Sequence, residues 1–125
     1  MSATRSVRVM LVEDHISFRQ ALAFLLGREP DLEVVAQAGS LAQARQMLDR
    51  RLDVAVLDLG LPDGDGRDLI DELCQTNTGI SIVVLSATIA PGHFDEVLKA
   101  GADAVLHKVA SPTTIVEEVR RLAGR

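Results

Sequence analysis

The 125-residue chain carries carboxylates directly after two short apolar runs: Glu13 and Asp14 follow VRVMLV, and Asp58 follows DVAVL. Carboxylates gathered in one crevice repel one another, so they either take up protons or hold a cation. An all-oxygen donor set favours a hard divalent ion, and a partial set that leaves waters in place favours Mg²⁺. Two more polar residues close apolar runs: Ser86 ends ISIVVLS and Lys108 follows ADAVLH. A carboxylate with a metal, a hydroxyl and an ammonium around it is a phosphoryl-binding arrangement. Lys99 and Lys108 are the only lysines among thirteen basic residues. A flexible point charge suits such a site better than the planar fork of arginine.

These residues meet only if the runs that carry them lie side by side. Val7–Val12, Leu32–Ala38, Asp53–Leu57, Ile80–Leu85 and Asp103–Leu106 are apolar and rich in β-branched residues, and they read as five strands. Between them the apolar spacing is helical. Ile16–Arg28 places Phe18, Leu22, Leu25 and Leu26 on one face, with Gly27 and Pro30 at its end. Ser40 and Gln43 form a capping box for a helix whose inner face holds Ala44, Met47 and Leu48. GLPDGDG is a loop, and the helix after it faces Leu69, Ile70 and Leu73 inward. Pro91 suits the first turn of a helix bearing Phe94, Val97 and Leu98, which Gly101 ends. Ser111 and Pro112 open a last helix with Ile115, Val119 and Leu122 on one face.

Strictly alternating strands and helices imply an α/β fold: a doubly wound, five-stranded parallel sheet of order 2-1-3-4-5 with five helices, flavodoxin-like in topology. Residues 1–125 are read as one domain. In such a sheet ligands bind at the carboxyl ends of the strands, where the first and third diverge. That is the edge where Glu13, Asp14, Asp58, Ser86 and Lys108 fall.

Composition removes other classes. Only three residues are aromatic, all Phe, which argues against base stacking and aromatic cages. A net charge of −5 is a poor match to a phosphate backbone, so no nucleic-acid contact is expected of this domain. No apolar run approaches the roughly 20 residues of a membrane span. The N-terminal stretch lacks a signal peptide's apolar region, and Cys74 stands alone, so a cytoplasmic location is expected.

Over essentially its whole length the chain resembles the receiver domain of bacterial two-component response regulators, a CheY-like fold. The resemblance rests on VEDH at Glu13-Asp14, DLGLPDGDG from Asp58, LSA around Ser86 and GADAVLHK ending at Lys108. EDHISFRQAL and DLGLPDGDG are most similar to the LuxR/NarL/FixJ-type subfamily, whose receiver precedes a helix-turn-helix output domain. There a proline often follows the histidine; here the residue is Ile16.

The resemblance implies a signalling switch rather than an enzyme, with self-catalysed phosphoryl acceptance and slow autodephosphorylation. A sensor histidine kinase would be the donor and Asp58 the acceptor. Asp14 would bind Mg²⁺ directly and Glu13 through water, with Asp58 and the backbone carbonyl of Gly60 completing the protein ligands. Ser86 and Lys108 would contact phosphoryl oxygens, joined by backbone N–H groups near Ala87. The output would be transcription regulation through a DNA-binding domain outside this chain, and phosphorylation-dependent homodimerisation fits the same resemblance. In one respect the chain departs from the family. The position usually held by a switching Tyr or Phe is Val105, preceded by Ala104.

Rival readings are weighed on the same residues. A phosphatase with an aspartyl nucleophile wants a second Asp two positions on, where Gly60 stands, and a cap domain for which this chain is short. A dinucleotide site wants G-x-G-x-x-G after the first strand, where an acidic pair would repel a pyrophosphate. A calcium loop starting at Asp63 fails at Asp68 and Cys74, its sixth and twelfth positions. A receiver that binds partners without phosphorylation stands as the alternative, because Val105 loosens the switch. Glu13 and Asp14 also suit the positive end of the following helix. His15 is read as a surface residue at a helix start, and His93 and His107 as exposed and uninvolved. Met10, Met47 and Cys74 are read as core.

Overall fold

The computed structural model describes residues 6–87 and 90–124; residues 1–5, with the polar N-terminal lead, lie outside them. The apolar runs form the expected strands: β1 (Val7–Val12), β2 (Leu32–Ala38), β3 (Val54–Asp58), β6 (Ser81–Ser86) and β7 (Ala104–His107). They make one parallel sheet in the order β2-β1-β3-β6-β7. This is the expected 2-1-3-4-5 arrangement, because the two remaining strands stand apart. β4 (Gly60–Leu61) and β5 (Gly64–Asp65) pair antiparallel within the GLPDGDG loop, turning through Pro62 and Asp63.

Five helices are described: α1 (Ile16–Gly27), α2 (Leu41–Arg45), α3 (Arg67–Thr76), α4 (His93–Lys99) and α5 (Pro112–Ala123). The strand period of two divides the core between the faces of the sheet. Met10, Val12, Ala55, Leu57, Ile82 and Val84 join Leu41, Leu69, Ile70, Leu73 and Val97 on the side of α2, α3 and α4. Val9, Leu11, Val54, Val56, Val83 and Leu85 join Leu22, Leu26, Ile115, Val119 and Leu122 on the side of α1 and α5. β3 and β6 are buried on both faces, which explains why their runs are continuously apolar, whereas edge strand β2 exposes Glu33 and Gln37.

Several boundaries move, each for a local reason. Asp53 precedes β3 because its carboxylate accepts the Arg8 N–H at 2.9 Å, and Asp103 precedes β7 because its carboxylate accepts the Ile82 N–H at 2.8 Å. Both side chains close the sheet's lower edge from loops. α2 stops at Arg45, leaving Met47 and Leu48 half-buried in the following turn. Its start is built as a modified capping box. The Ser40 hydroxyl accepts the Gln43 N–H (3.1 Å), while Gln43 Oε1 accepts from Gly39 (2.7 Å) rather than from Ser40. Asp63 reaches across from the loop and accepts the N–H groups of Leu41 and Ala42 (2.8 and 3.0 Å).

One core assignment is corrected. Cys74 is exposed, because α3 turns Leu69, Ile70 and Leu73 to the sheet and leaves Cys74 beyond that stripe. Leu98 is 43% exposed, because Val97 is the residue of α4 that enters the core. α4 begins at His93 rather than Pro91; Gly92, at φ 81°, interrupts the helical run before it. Met10 is fully buried as expected.

Candidate functional site

Strand parity does more than sort the core. Glu13 continues the Val9–Leu11 series, Asp58 continues Val54–Val56, and Lys108 continues Ala104–Leu106, so all three leave the sheet toward the same side. The backbone holds them there: the Glu13 N–H donates to Ala38 O (2.9 Å) and the Lys108 N–H to Ser86 O (2.8 Å), extending the ladders past the strand ends. The three side chains meet. Lys108 Nζ lies 2.7 Å from Asp58 Oδ2 and 2.9 Å from Glu13 Oε1. Asp58 Oδ1 accepts the Gly60 N–H at 3.1 Å.

Glu13 and Asp58 are buried, at 2% and 3% exposure. Burial pushes the Glu13 carboxyl above the ordinary carboxylate range, and the interaction with Glu13 beside it holds the Asp14 carboxyl below. Burial alone would lower the Lys108 ammonium. Its hydrogen bonds to Asp58 and Glu13 outweigh that and raise it, so it stays charged. Asp14 Oδ1 is buried and has no hydrogen-bond partner. One ligand atom from each of Glu13, Asp14 and His15 lies within 4.8 Å of the other two, a spacing compatible with a shared cation. Arg19 fixes the turn by donating to Glu13 O at 2.7 Å.

Ser86 ends β6, 2% exposed, on the parity of Ile82 and Val84, the α4 side of the sheet. Its hydroxyl lies 2.8 Å from His93 Nε2. Ser86, Ala87, His93, Lys108, Asp58, Gly60 and Arg67 share one open cleft of about 650 Å³. Part of the segment expected to offer backbone N–H groups beyond Ala87, residues 88 and 89, lies outside the described residues. The site thus gathers Glu13, Asp14, Asp58, Gly60, Ser86 and Lys108 at one edge. Val105 is elsewhere: it pairs with Val84 across β6–β7 and packs, half-buried, against the α2–α4 core.

The histidines depart from expectation. His15 is exposed, as read, but its Nδ1 lies 3.4 Å from Lys108 Nζ and 3.6 Å from Glu13 Oε2. His107 is half-buried and its Nδ1 accepts the Val109 N–H at 3.2 Å, closing the turn after β7. His93 is half-buried and bonded to Ser86. No spacing rule joins residues 86 and 93; the only available hint was a histidine near the start of a helix that follows a site strand.

A doubly wound sheet in this order, with its ionisable groups at the carboxyl edge beside the first and third strands, is a CheY-like receiver fold. The model of the response regulator receiver domain matches residues 9–120, and the chain belongs to that family. The transcriptional regulatory protein UhpA of Salmonella typhimurium is 36% identical over 118 residues, 94% of this chain and 59% of that protein. The DNA-binding transcriptional activator DevR/DosR of Mycobacterium tuberculosis is 36% identical over 121 residues, 95% of this chain and 56% of that protein. The chain therefore spans less than three-fifths of the length of either relative. Among solved structures, a LuxR-family two-component response regulator from Aurantimonas superposes with a TM-score of 0.83 at 29% identity, covering 96% of this chain and 87% of that one. Among the described residues no helix is long and apolar enough to cross a membrane.

Proposed function

We propose that residues 1–125 form a phosphorylation-dependent signalling switch in which Asp58 accepts a phosphoryl group from the phosphohistidine of a sensor histidine kinase. An Asp58 carboxylate oxygen forms the new P–O bond as the P–N bond to the donor imidazole breaks. The observation that carries this reading is the Lys108 ammonium, 2.7 Å from Asp58 at the floor of an open cleft. It holds the nucleophile in place and stands ready to neutralise charge on the incoming group. Ser86 supplies a second donor from the other side of the cleft.

The residues also fit a divalent metal. Asp14 offers a buried oxygen without a hydrogen-bond partner, next to Glu13 and within the same edge as Asp58 and the Gly60 carbonyl. These residues would hold Mg²⁺, which when bound supplies charge neutralisation at the phosphoryl oxygens. Apart from accepting and slowly losing its phosphoryl group, the domain is not an enzyme. It acts in the cytoplasm, homodimerises on phosphorylation, makes no direct nucleic-acid contact, and relays its state to transcription through a DNA-binding domain outside this chain.

Incubation with a small phosphodonor and Mg²⁺ should add one acid-labile phosphoryl group by intact mass, and Asp58→Asn should abolish it. Labelling that survives Asp58→Asn overturns the assignment. Val105 in the usual aromatic position supports a second reading, a receiver that binds partners regardless of phosphorylation. Partner binding equal in wild type and Asp58→Asn would select it.

A further inference from the structure

Phosphoryl acceptance makes no use of the contact between Ser86 and His93, two residues that line the cleft. His93 Nε2 lies 2.8 Å from the Ser86 hydroxyl, which is buried at the end of β6. His93 is the first residue of α4, a seven-residue helix anchored to the core by Val97. Ser86 therefore joins the floor of the site to the first turn of a helix on the sheet's other side. Val105, on the neighbouring strand, has no polar atom with which to make such a link.

We propose that His93 is a positioning residue whose Nε2 accepts the Ser86 O–H proton in the unmodified domain, and that an oxyanion on Asp58 takes this proton and frees the first turn of α4. The inference rests on Asp58 being the phosphoacceptor. Its physical basis is that a hydroxyl has one proton to donate. Ser86 lines the same cleft as Asp58 and Lys108, so a phosphoryl oxygen bound there competes with His93 for that single donor. A charged acceptor outcompetes a neutral imidazole. Once the proton has turned away, α4 loses a bond that exists only in the unmodified state. Because coupling is reciprocal, whatever weakens the Ser86–His93 bond must also favour the oxyanion-bound state.

The test is a titration of the chain with beryllofluoride in Mg²⁺, followed by backbone amide and imidazole ¹⁵N resonances. In the wild type, His93 Nε2 should start as an unprotonated, hydrogen-bonded nitrogen and move on saturation together with the amides of residues 93–97. His93→Ala should bind beryllofluoride roughly fivefold more tightly, the worth of one neutral hydrogen bond, and lose the movement of those amides. His93→Gln, which keeps an acceptor at similar reach, should restore both. A protonated Nε2 in the free protein overturns the proposal. So does a His93→Ala variant with unchanged affinity and unchanged α4 response. A wild type that shows no beryllofluoride binding, with the amides around Asp58 unmoved, overturns the phosphoacceptor reading and this coupling with it. Normal wild-type binding that is insensitive to His93 overturns the coupling alone.

Discussion

Lys108 neutralises two buried carboxylates at once, and its loss would leave Glu13 and Asp58 facing each other without a cation. Breaking a fully buried pair costs roughly 3–5 kcal/mol. Because a fifth of the Lys108 side chain remains exposed, Lys108→Ala should cost about 2 kcal/mol at neutral pH. The pH dependence has a definite sign. Burial raises the Glu13 carboxyl, and the hydrogen bond from Lys108 opposes that rise. A carboxyl raised in the folded state favours folding fully below its unfolded value, and that contribution is lost as pH climbs through the folded value. Without the lysine the rise is larger, so the deficit of Lys108→Ala should shrink between pH 7.5 and pH 5 in urea unfolding. An equal deficit at both pH values contradicts the pairing. Gly66 acts on the same site through backbone. A Cβ there would stand 2.6 Å from Asp58 O and 3.0 Å from Leu59 Cα, atoms that have no rotamer to escape into. Gly66→Ala should cost roughly 1–3 kcal/mol and slow phosphoryl uptake at Asp58, which mass spectrometry over time would record.

The elements around the site are held by side chains that replace missing backbone partners. α2 has only five residues, too few to persist by propensity, and Ser40 with Asp63 occupies its exposed N–H groups. Those same bonds to Leu41 and Ala42 pull the Asp63 carboxyl below its ordinary range. Asp63 thereby ties the loop that follows Asp58 to α2, which packs against β2. Asn77 does similar work at the opposite edge. It is buried after α3, and its Oδ1 accepts the Leu52 N–H at 2.9 Å just ahead of β3. Asn77→Ala would strand a buried donor, at about 1–3 kcal/mol. The variant should unfold at lower urea with an unchanged slope and retain phosphoryl uptake, since the site lies at the far end of the strand.

For the molecule as a whole, a net charge of −5 includes a concentration of carboxylates at one sheet edge, and a cation bound there should stabilise the entire fold by mass action. Mg²⁺ at 100 times its dissociation constant should add about 2.7 kcal/mol to the unfolding free energy of the wild type. Asp14→Ala should lose most of that increment while Asn77→Ala keeps it, as thermal unfolding with and without Mg²⁺ would show. Comparable Mg²⁺ stabilisation in Asp14→Ala would remove Asp14 from the ligand set.

The alternation of elements, the strand order and the gathering of Glu13, Asp14, Asp58, Ser86 and Lys108 were all legible in the chain, because each depends on short-range periodicity and on where an apolar run stops. Exact ends were less legible: Asp53 and Asp103 closed the sheet edge from outside their strands, through bonds to Arg8 and Ile82 that no local pattern announces. Cys74 reads as core in the sequence yet is exposed, because helical spacing gives a stripe without its width, and the width depends on how closely a helix lies on the sheet. Sequence alone thus determined which residues stand at the carboxyl edge of the sheet, through the period of two that also sends Glu13, Asp58 and Lys108 to one side. Tertiary structure alone decided who touches whom there: that Lys108 bridges two carboxylates 95 and 50 residues away, and that Ser86 faces His93 rather than Val105. Such contacts depend on the packing of whole helices against the sheet, and that geometry is set by the summed burial of both cores rather than by any segment's own residues.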